Sequence, residues 1–415
     1  MPDKGCVVIV DAYSFTRRLA PEFRKAGFDC VRVQSTAEVP EVYRSSMDLS
    51  DYCDNIVHRG DLDETVAAVA RYAPVAVVPG GEFGVEFADV LSETMGLATN
   101  GTALSSARRD KYTMIETIKA AGVPGAAQLL VRDEEELRAW HRELGGAVVV
   151  KPSRSTAGDG IHFCDTPEQS VDAHRALTRA ENVFSQANEG IVAQEYLAGG
   201  EYVVNTVSRD GRHHVTDMWK TSRISANGVL DLCDAVHLLP RRGEAGEVLA
   251  PYAVRVLDAL GIRHGPAHLE VKLTPGGPRL VEVGARIAGG DIPHYARMGI
   301  GASQIDWTVD AYVDPERFHA RCDEDYVLRA HFASVAMVSP VQGTLRGYRH
   351  LEQIEALPSL HEIRTLVQPD GALRRTVDDL TYPMIVNLRH EIEEVVLRDA
   401  GTVRFLDGHG FYDLA

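Results

Sequence analysis

The chain has 415 residues, room for two to four domains at ~100–200 residues each. Its 43 Lys and Arg face 60 Asp and Glu, a net charge of −17, which disfavours a nucleic-acid backbone or an anionic membrane surface as partner. Hydrophobic residues make up 45% and charged residues 25%, ordinary shares that argue against wholesale disorder.

No apolar run approaches the ~18–20 residues of a membrane helix. The stretch Cys6–Val10, behind Met1-Pro2-Asp3-Lys4-Gly5, is too short for a signal-peptide core. Cys6, Cys30, Cys53, Cys164, Cys233 and Cys322 are far apart and form no C-x-x-C pair. They read as reduced thiols of a cytoplasmic protein, and a zinc site lacks the paired ligand spacing it needs.

In chain order, Cys6–Val10 reads as a strand, Phe15–Ala26 as a helix stopped by Gly27, and Cys30–Val33 as a second strand. Val66–Tyr72 reads as a helix and Val75–Val78 as a buried strand ending in Pro79-Gly80-Gly81. This alternation predicts a parallel sheet covered by helices. G-x-G-x-x-G is missing after the first strand, which disfavours a dinucleotide site and an oxidoreductase. Beyond about residue 108, helices are expected at Arg109–Ala121, Glu134–Leu144, around Val171–Arg179, and at Ala250–Leu260 with Pro251 in its first turn. Strands are expected at Ala147–Val150, where Pro152 turns the chain, and at Gly190–Glu195. From about Leu328, β-like runs at Ala330–Val338, Met384–Leu388 and Val403–Leu406 surround a helical Glu352–Leu357, a smaller α+β unit.

Ala267–Leu273, the turn Thr274-Pro275-Gly276-Gly277-Pro278 and Arg279–Ala285 form a β-hairpin pattern. A turn symmetric about Gly276 sets Glu270 opposite Glu282, with Cβ atoms ~4.5–5.5 Å apart. Facing carboxylates repel, and a divalent cation would compensate, since Mg²⁺ takes carboxylate and phosphate oxygens together. A slipped register, or neutralisation by Lys272 and Arg279, would also relieve the repulsion. Alternation puts His268, Glu270, Lys272 and Glu282 on one face, and Leu269, Val271, Val281 and Val283 on the other.

Lys151 ends a valine strand beside Ser153-Arg154-Ser155-Thr156-Ala157-Gly158-Asp159-Gly160. A lysine there can reach a phosphate, and the glycines let backbone N–H groups aim at an anion. No G-K-[ST] follows, so this is not a Walker A loop. Lys111 opens a helix. Gln194-Glu195-Tyr196-Leu197 runs from a strand into Ala198-Gly199-Gly200-Glu201, where unpaired backbone groups could meet an adenine edge.

An early lysine, a strand lysine, a glycine loop, an E-Y-L segment, two late glutamates and an arginine follow one another in this order. From about Arg108 to Asp310 the chain resembles the ATP-grasp superfamily, and within it the carboxylate–amine ligases, most of all the L-amino acid ligases of the bacilysin type. The resemblance implies an ATP-grasp fold of α/β and α+β parts. Residues 1–108 would be a Rossmann-like α/β domain and 109–327 the ATP-grasp domain, with a lid at about 126–197. Residues 328–415 would be a C-terminal α+β subdomain.

The resemblance also implies roles. Lys111 and Lys151 would contact ATP phosphates, under a closing loop that includes Ser155, Thr156, Gly158 and Gly160. Glu195 and Leu197, flanking Tyr196, would pair with adenine through their backbones, and Glu201 would hold the ribose. Glu270 and Glu282 would bind Mg²⁺, one or two ions, with Mn²⁺ able to substitute. Arg286 would steady the γ-phosphate and acyl phosphate, and His268 is a candidate base. Glu82, Arg286, Gly289 and Gly290 would meet substrate. The superfamily usually has asparagine two residues after the second glutamate, where this chain has Gly284. The implied reaction phosphorylates a carboxylate and then forms an amide with an amine, in a cytoplasmic protein that the resemblance makes a candidate homodimer. A purine-biosynthesis type ligase and a non-catalytic nucleotide module are the alternatives.

Overall fold

The computed structural model describes residues 5–155, 158–180, 188 and 190–415. Near the N-terminus, four parallel strands stand in the order Asp54–Val57, Asp29–Gln34, Cys6–Val10, Pro74–Pro79. Cys6–Val10 is buried along its whole length because alternate residues feed two cores. Val7 and Ile9 pack with Leu19, Ala20 and Phe23, while Cys6, Val8 and Val10 pack with Val69, Ala88 and Leu91. Parallel sheets need both faces covered. Part of one cover is distant in sequence: Ile305, Val309 and Tyr312 of the helix Gln304–Val313 complete the first core.

A four-stranded antiparallel sheet follows, in the order Gln128–Leu130, Ile191–Glu195, Val148–Pro152, His162–Cys164. The helices Glu134–Leu144 and Pro167–Arg179 cover it through Leu137, Val171 and Leu177. Asp133 caps the first helix, and Gly145, at φ +71°, ends it. Thr166 and Gln169 form a capping box on the second. Pro152 does not turn the chain as expected; it pairs with Ile191 as the last residue of its strand.

The largest sheet has eight antiparallel strands: Gly277–Gly284, Gly265–Thr274, Gly200–Arg209, Arg212–Ala226, Val229–Leu239, His331–Ala336, Met384–His390, Leu360–Thr365. Its first half packs on Leu249, Ala253, Val256 and Leu257 of the helix Glu244–Ala259. That helix begins before Ala250, so Pro251 lies inside it. Pro251 and Glu247 are both exposed, and the carbonyl that loses its N–H partner there can turn to water. The second half of the sheet has its own core, with Val335, Met384, Val386 and Leu388 against Val396, Ala400 and Val403. The expected strand at Val403–Leu406 is instead the end of the helix Glu393–Leu406. Burial of Val396, Ala400 and Val403 gives the spacing of a helix face, and packing overrides the β-forming composition. Among the described residues, no helix is long and apolar enough to cross a membrane.

One buried ion pair ties the first sheet to the large one. Asp89, on the helix Val85–Thr94, accepts from Arg108 Nη2 at 2.9 Å and Ser105 Oγ at 2.6 Å. Arg108 is fully buried and its Nη1 reaches Leu260 O at 2.9 Å. Asp89→Ala strands this guanidinium, so urea unfolding should show a loss of about 3–5 kcal/mol. A loss below about 1 kcal/mol would contradict the pair's structural role.

Candidate active site

The hairpin strands Gly265–Thr274 and Gly277–Gly284 place Glu270 opposite Glu282. They do so by a different route from the expected one. Thr274 pairs with Gly277, leaving a two-residue turn, Pro275-Gly276. A regular ladder from that turn would put Val281 opposite Glu270 and send Glu282 to the other face. Instead the register shifts between Glu270 and Val271, so that Val271 faces Leu280 and Val281 is the extra, bulged residue. Leu269, Val271, Leu280 and Val283 are fully or almost fully buried in the core; Leu280, not Val281, takes the inward place. The carboxylates lie on the opposite, partly open face, with side-chain exposures of 32% for Glu270 and 18% for Glu282.

Lysines stand close to this pair. Lys111 Nζ is 3.0 Å from Glu282 Oε2 and donates to Ser155 O at 2.8 Å. Its own N–H bonds Ser153 O at 2.9 Å. Lys111 therefore joins the hairpin to the start of the glycine loop. Lys151 is buried and donates to Gln194 Oε1 at 3.0 Å. Burial and the nearby Lys111 pull its pKa down to about 8, against the opposing pull of Glu282, Glu270 and Glu201. Lys111, Lys151, Ser155 and the two hairpin carboxylates thus share one electrostatic neighbourhood.

His268 Nδ1 lies 2.8 Å from Asn205 Oδ1, and its Nε2 lies 3.5 Å from Glu270 Oε1. Asn205 donates its amide to Asp217 Oδ1, which leaves Oδ1 to accept from Nδ1–H and so fixes the ring. Burial works to raise the pKa of Glu270, but His268, Arg223 and Arg286 hold it well below the usual carboxylate range.

Several expected positions are differently occupied. Glu201 is buried and bonded to Arg223 and, at 3.4 Å, to Lys272, which also meets Asp231 at 2.8 Å. Lys272 thus neutralises Glu201 and Asp231 rather than the hairpin pair, and Arg279 bonds the carbonyls of Gly276 and Pro278. The Glu195 N–H is already donated to Ala127 O, and the Glu195 carboxylate accepts from Ala127 N at 2.7 Å. An adenine edge cannot take the Glu195 N–H without breaking that bond. Tyr196 N–H bonds Ala147 O, whereas the Leu197 N–H has no partner among the described residues. Thr156 lies outside the described residues. Gly158 and Gly160 adopt φ of +75° and +72°, and a Cβ at Gly160 would come within 2.9 Å of Leu177 and Pro152.

Glu82 is buried between two guanidiniums, Arg109 Nη1 and, at 2.9 Å, Arg286 Nε. Gly289 and Gly290 have open space where a Cβ would be. Asp291 anchors the next turn, bonding Arg18 at 2.7 Å and Arg364 at 3.4 Å. Arg109 and Arg223 were not singled out from the sequence. Arg109 carried one signal, because basic residues crowd Arg108-Arg109-Asp110-Lys111 at a helix N-terminus, where the dipole disfavours cations. Arg223 carried none.

Residues 144–294 match the ATP-grasp domain family. The chain is 32% identical over 393 residues to dapdiamide A synthase of Enterobacter agglomerans, covering 92% of this chain and 91% of that one. A solved L-amino acid ligase from Bacillus licheniformis superposes with a TM-score of 0.77 at 16% identity, covering all of both chains. The biotin carboxylase domain of Hydrogenobacter thermophilus 2-oxoglutarate carboxylase, solved with MgADP and bicarbonate, shares the fold with a TM-score of 0.66 at 15% identity, over 99% of this chain and 90% of that one. The chain therefore belongs to the ATP-grasp family, as an ATP-dependent carboxylate–amine ligase.

Proposed function

We propose that this ligase activates the carboxylate of an amino acid as an acyl phosphate and joins it to the amine of a second, giving a dipeptide-type amide with ADP and phosphate. The opposed Glu270 and Glu282 beside Lys111 and Lys151 carry this reading. The similarity to an amide-forming synthase over most of both chains supports the substrate class.

The donor set fits Mg²⁺. Two carboxylates stand on paired residues of the hairpin with Gly284 adding no side-chain oxygen, and the described residues hold no cluster of three or more His, Cys, Asp or Glu able to bind a metal. Mg²⁺ is commonly held by one or two carboxylates plus substrate phosphates, so the ion should arrive with the nucleotide. Glu270 and Glu282 would hold one ion firmly, with Mn²⁺ able to replace it and any second ion depending on extra water. Bound there, the cation would neutralise phosphate charge.

The chain's own groups do the rest. Lys111 and Lys151 hold phosphate oxygens, and the Leu197 N–H is the donor left for adenine. Arg286 stands where it can offset charge as the γ-phosphoryl group moves to the substrate carboxylate. The 126–197 segment, with Ser155, Gly158 and Gly160, closes over the acyl phosphate to keep water out. His268, bound on one side to Asn205, orients Glu270 rather than serving as base. Glu201 reaches a ribose only by sharing its bonds with Arg223 and Lys272. We place the domain limits at residues 108 and 327 and the protein in the cytoplasm.

Phosphate release with ATP, Mg²⁺ and a matrix of paired amino acids, followed by mass spectrometry, tests the reading. The expected result is release that depends on a particular pair, with a product lighter than their sum by one water. Release with bicarbonate or a purine precursor alone, and with no amino acid pair, would overturn it.

A further inference from the structure

Glu82 opens the short helical turn Glu82–Gly84 just after the strand Pro74–Pro79. Arg109 precedes the Lys111 helix, and Arg286 follows the hairpin. Three distant segments thus meet in one Arg–Glu–Arg unit. Side-chain exposures are 8% for Arg109, 7% for Glu82 and 13% for Arg286. A buried carboxylate with one cation is a poor bargain against water, but two guanidiniums and good geometry keep it charged. Burial pushes Glu82 upward, yet Arg109, Arg286 and Lys111 hold its pKa below the ordinary value. The unit keeps one net positive charge. Arg286 is fixed on one edge by Glu82 and through Nη1 by Ile287 O at 3.1 Å. The Arg109 Nε is buried without a hydrogen-bond partner among the described residues.

Gly284, the last residue of the strand Gly277–Gly284, touches this unit. A Cβ on it would lie 2.8 Å from Glu82 Oε2 and 2.9 Å from Arg286 Cζ. Both are ends of flexible side chains, so the backbone would not have to move. The Glu82–Arg286 bond would have to give way instead. The volume of a side chain at 284 is already occupied by that bond.

We infer that Glu82 is a positioning residue, holding Arg286 by its Nε edge in the place from which it serves the phosphates, and that residue 284 is glycine because this bond fills its place. The inference rests on the proposed phosphate role of Arg286. It gives the glycine a cause: the site forgoes an oxygen donor at 284 and gains an anchored guanidinium. Arg109 shares the charge of Glu82 and keeps it from collapsing onto Arg286 alone.

Two measurements on the full chain test this with E82A, which removes both oxygens, with G284A and with the double variant. Ligand-free crystal structures read the position of Arg286 directly. Isothermal titration reads affinity for Mg²⁺ with the non-hydrolysable triphosphate AMPPNP and with ADP. Each single variant should release Arg286 from its position and lower the preference for AMPPNP over ADP about tenfold, the worth of one charge-assisted hydrogen bond. ADP affinity should hold. The double variant should be no worse than the singles, because both break the same bond. Arg286 unmoved in G284A, or losses that add in the double variant, would overturn the inference. Failure of the wild-type protein to bind either nucleotide would remove the proposed function instead, while the crystals would still decide whether Glu82 and Gly284 set the place of Arg286.

Discussion

Glu282→Gln is expected to cut ADP production roughly a thousandfold and leave the protein folded. The substitution keeps the shape of the side chain and an oxygen for Lys111, now 3.0 Å away, but removes the charge that a divalent cation needs. Metal neutralisation of phosphate charge supplies several kcal/mol to such transfers. Losing about 4 kcal/mol lowers turnover roughly a thousandfold. The repulsion across the hairpin also disappears, so the melting temperature should hold or rise slightly. ADP formation with the productive amino acid pair, beside a thermal melt, checks both halves. Turnover within a factor of ten of wild type would rule out Glu282 as a metal ligand.

Lys151→Met should weaken nucleotide binding about a hundredfold at pH 7 and remove its dependence on pH. The reason is that Lys151 is a buried cation whose charge is useful only when phosphate is present. Its pKa in the folded chain is about 8, against ~10.4 in an unfolded one. Between these values the unfolded chain binds a proton that the native chain lacks. Stability of the nucleotide-free protein therefore rises with pH across that window, and below pH 8 the native state bears the full cost, about 3 kcal/mol. Lys151→Met removes that cost, so at pH 7 the variant should unfold at higher urea while binding MgATP worse. In the wild type, MgATP affinity should fall as pH passes 8, about tenfold per unit, because binding needs the charged amine. Titrations at pH 7, 8 and 9 with both proteins give the slopes. A wild-type affinity flat over that range, or a variant that keeps its affinity, would refute the phosphate role.

Which features could be read from the sequence follows from how locally each is encoded. Cys6–Val10 and Glu134–Leu144 carry their periodicity and stop signals within a few residues and form as expected, and the hairpin sets Glu270 opposite Glu282 as expected, though through a shorter turn and a bulge. The helix Gln304–Val313 was missed because it is buried on nearly every side. A helix between two cores has no polar stripe to mark its period. The bulge at Val281 was invisible for another reason: the pairing expected from a symmetric turn and the pairing made by a shorter turn plus one extra residue agree at Glu270 and Glu282. The ion-pair partners of Glu82 and Glu201 come from segments far away in the chain, and spacing alone cannot name them. The roles assigned to those two glutamates by resemblance met a structure in which both oxygens of each carboxylate are already engaged.

That single surplus residue in the hairpin also limits how this edge of the sheet can diversify. A residue gained or lost within either strand swaps inward and outward sides for everything beyond it unless a compensating loss or insertion occurs a few positions away. Length changes within the strands are tolerable only as matched pairs, whereas the exposed tip Pro275-Gly276 can lengthen without moving the two carboxylates, because the buried Leu269, Val271, Leu280 and Val283 hold the register.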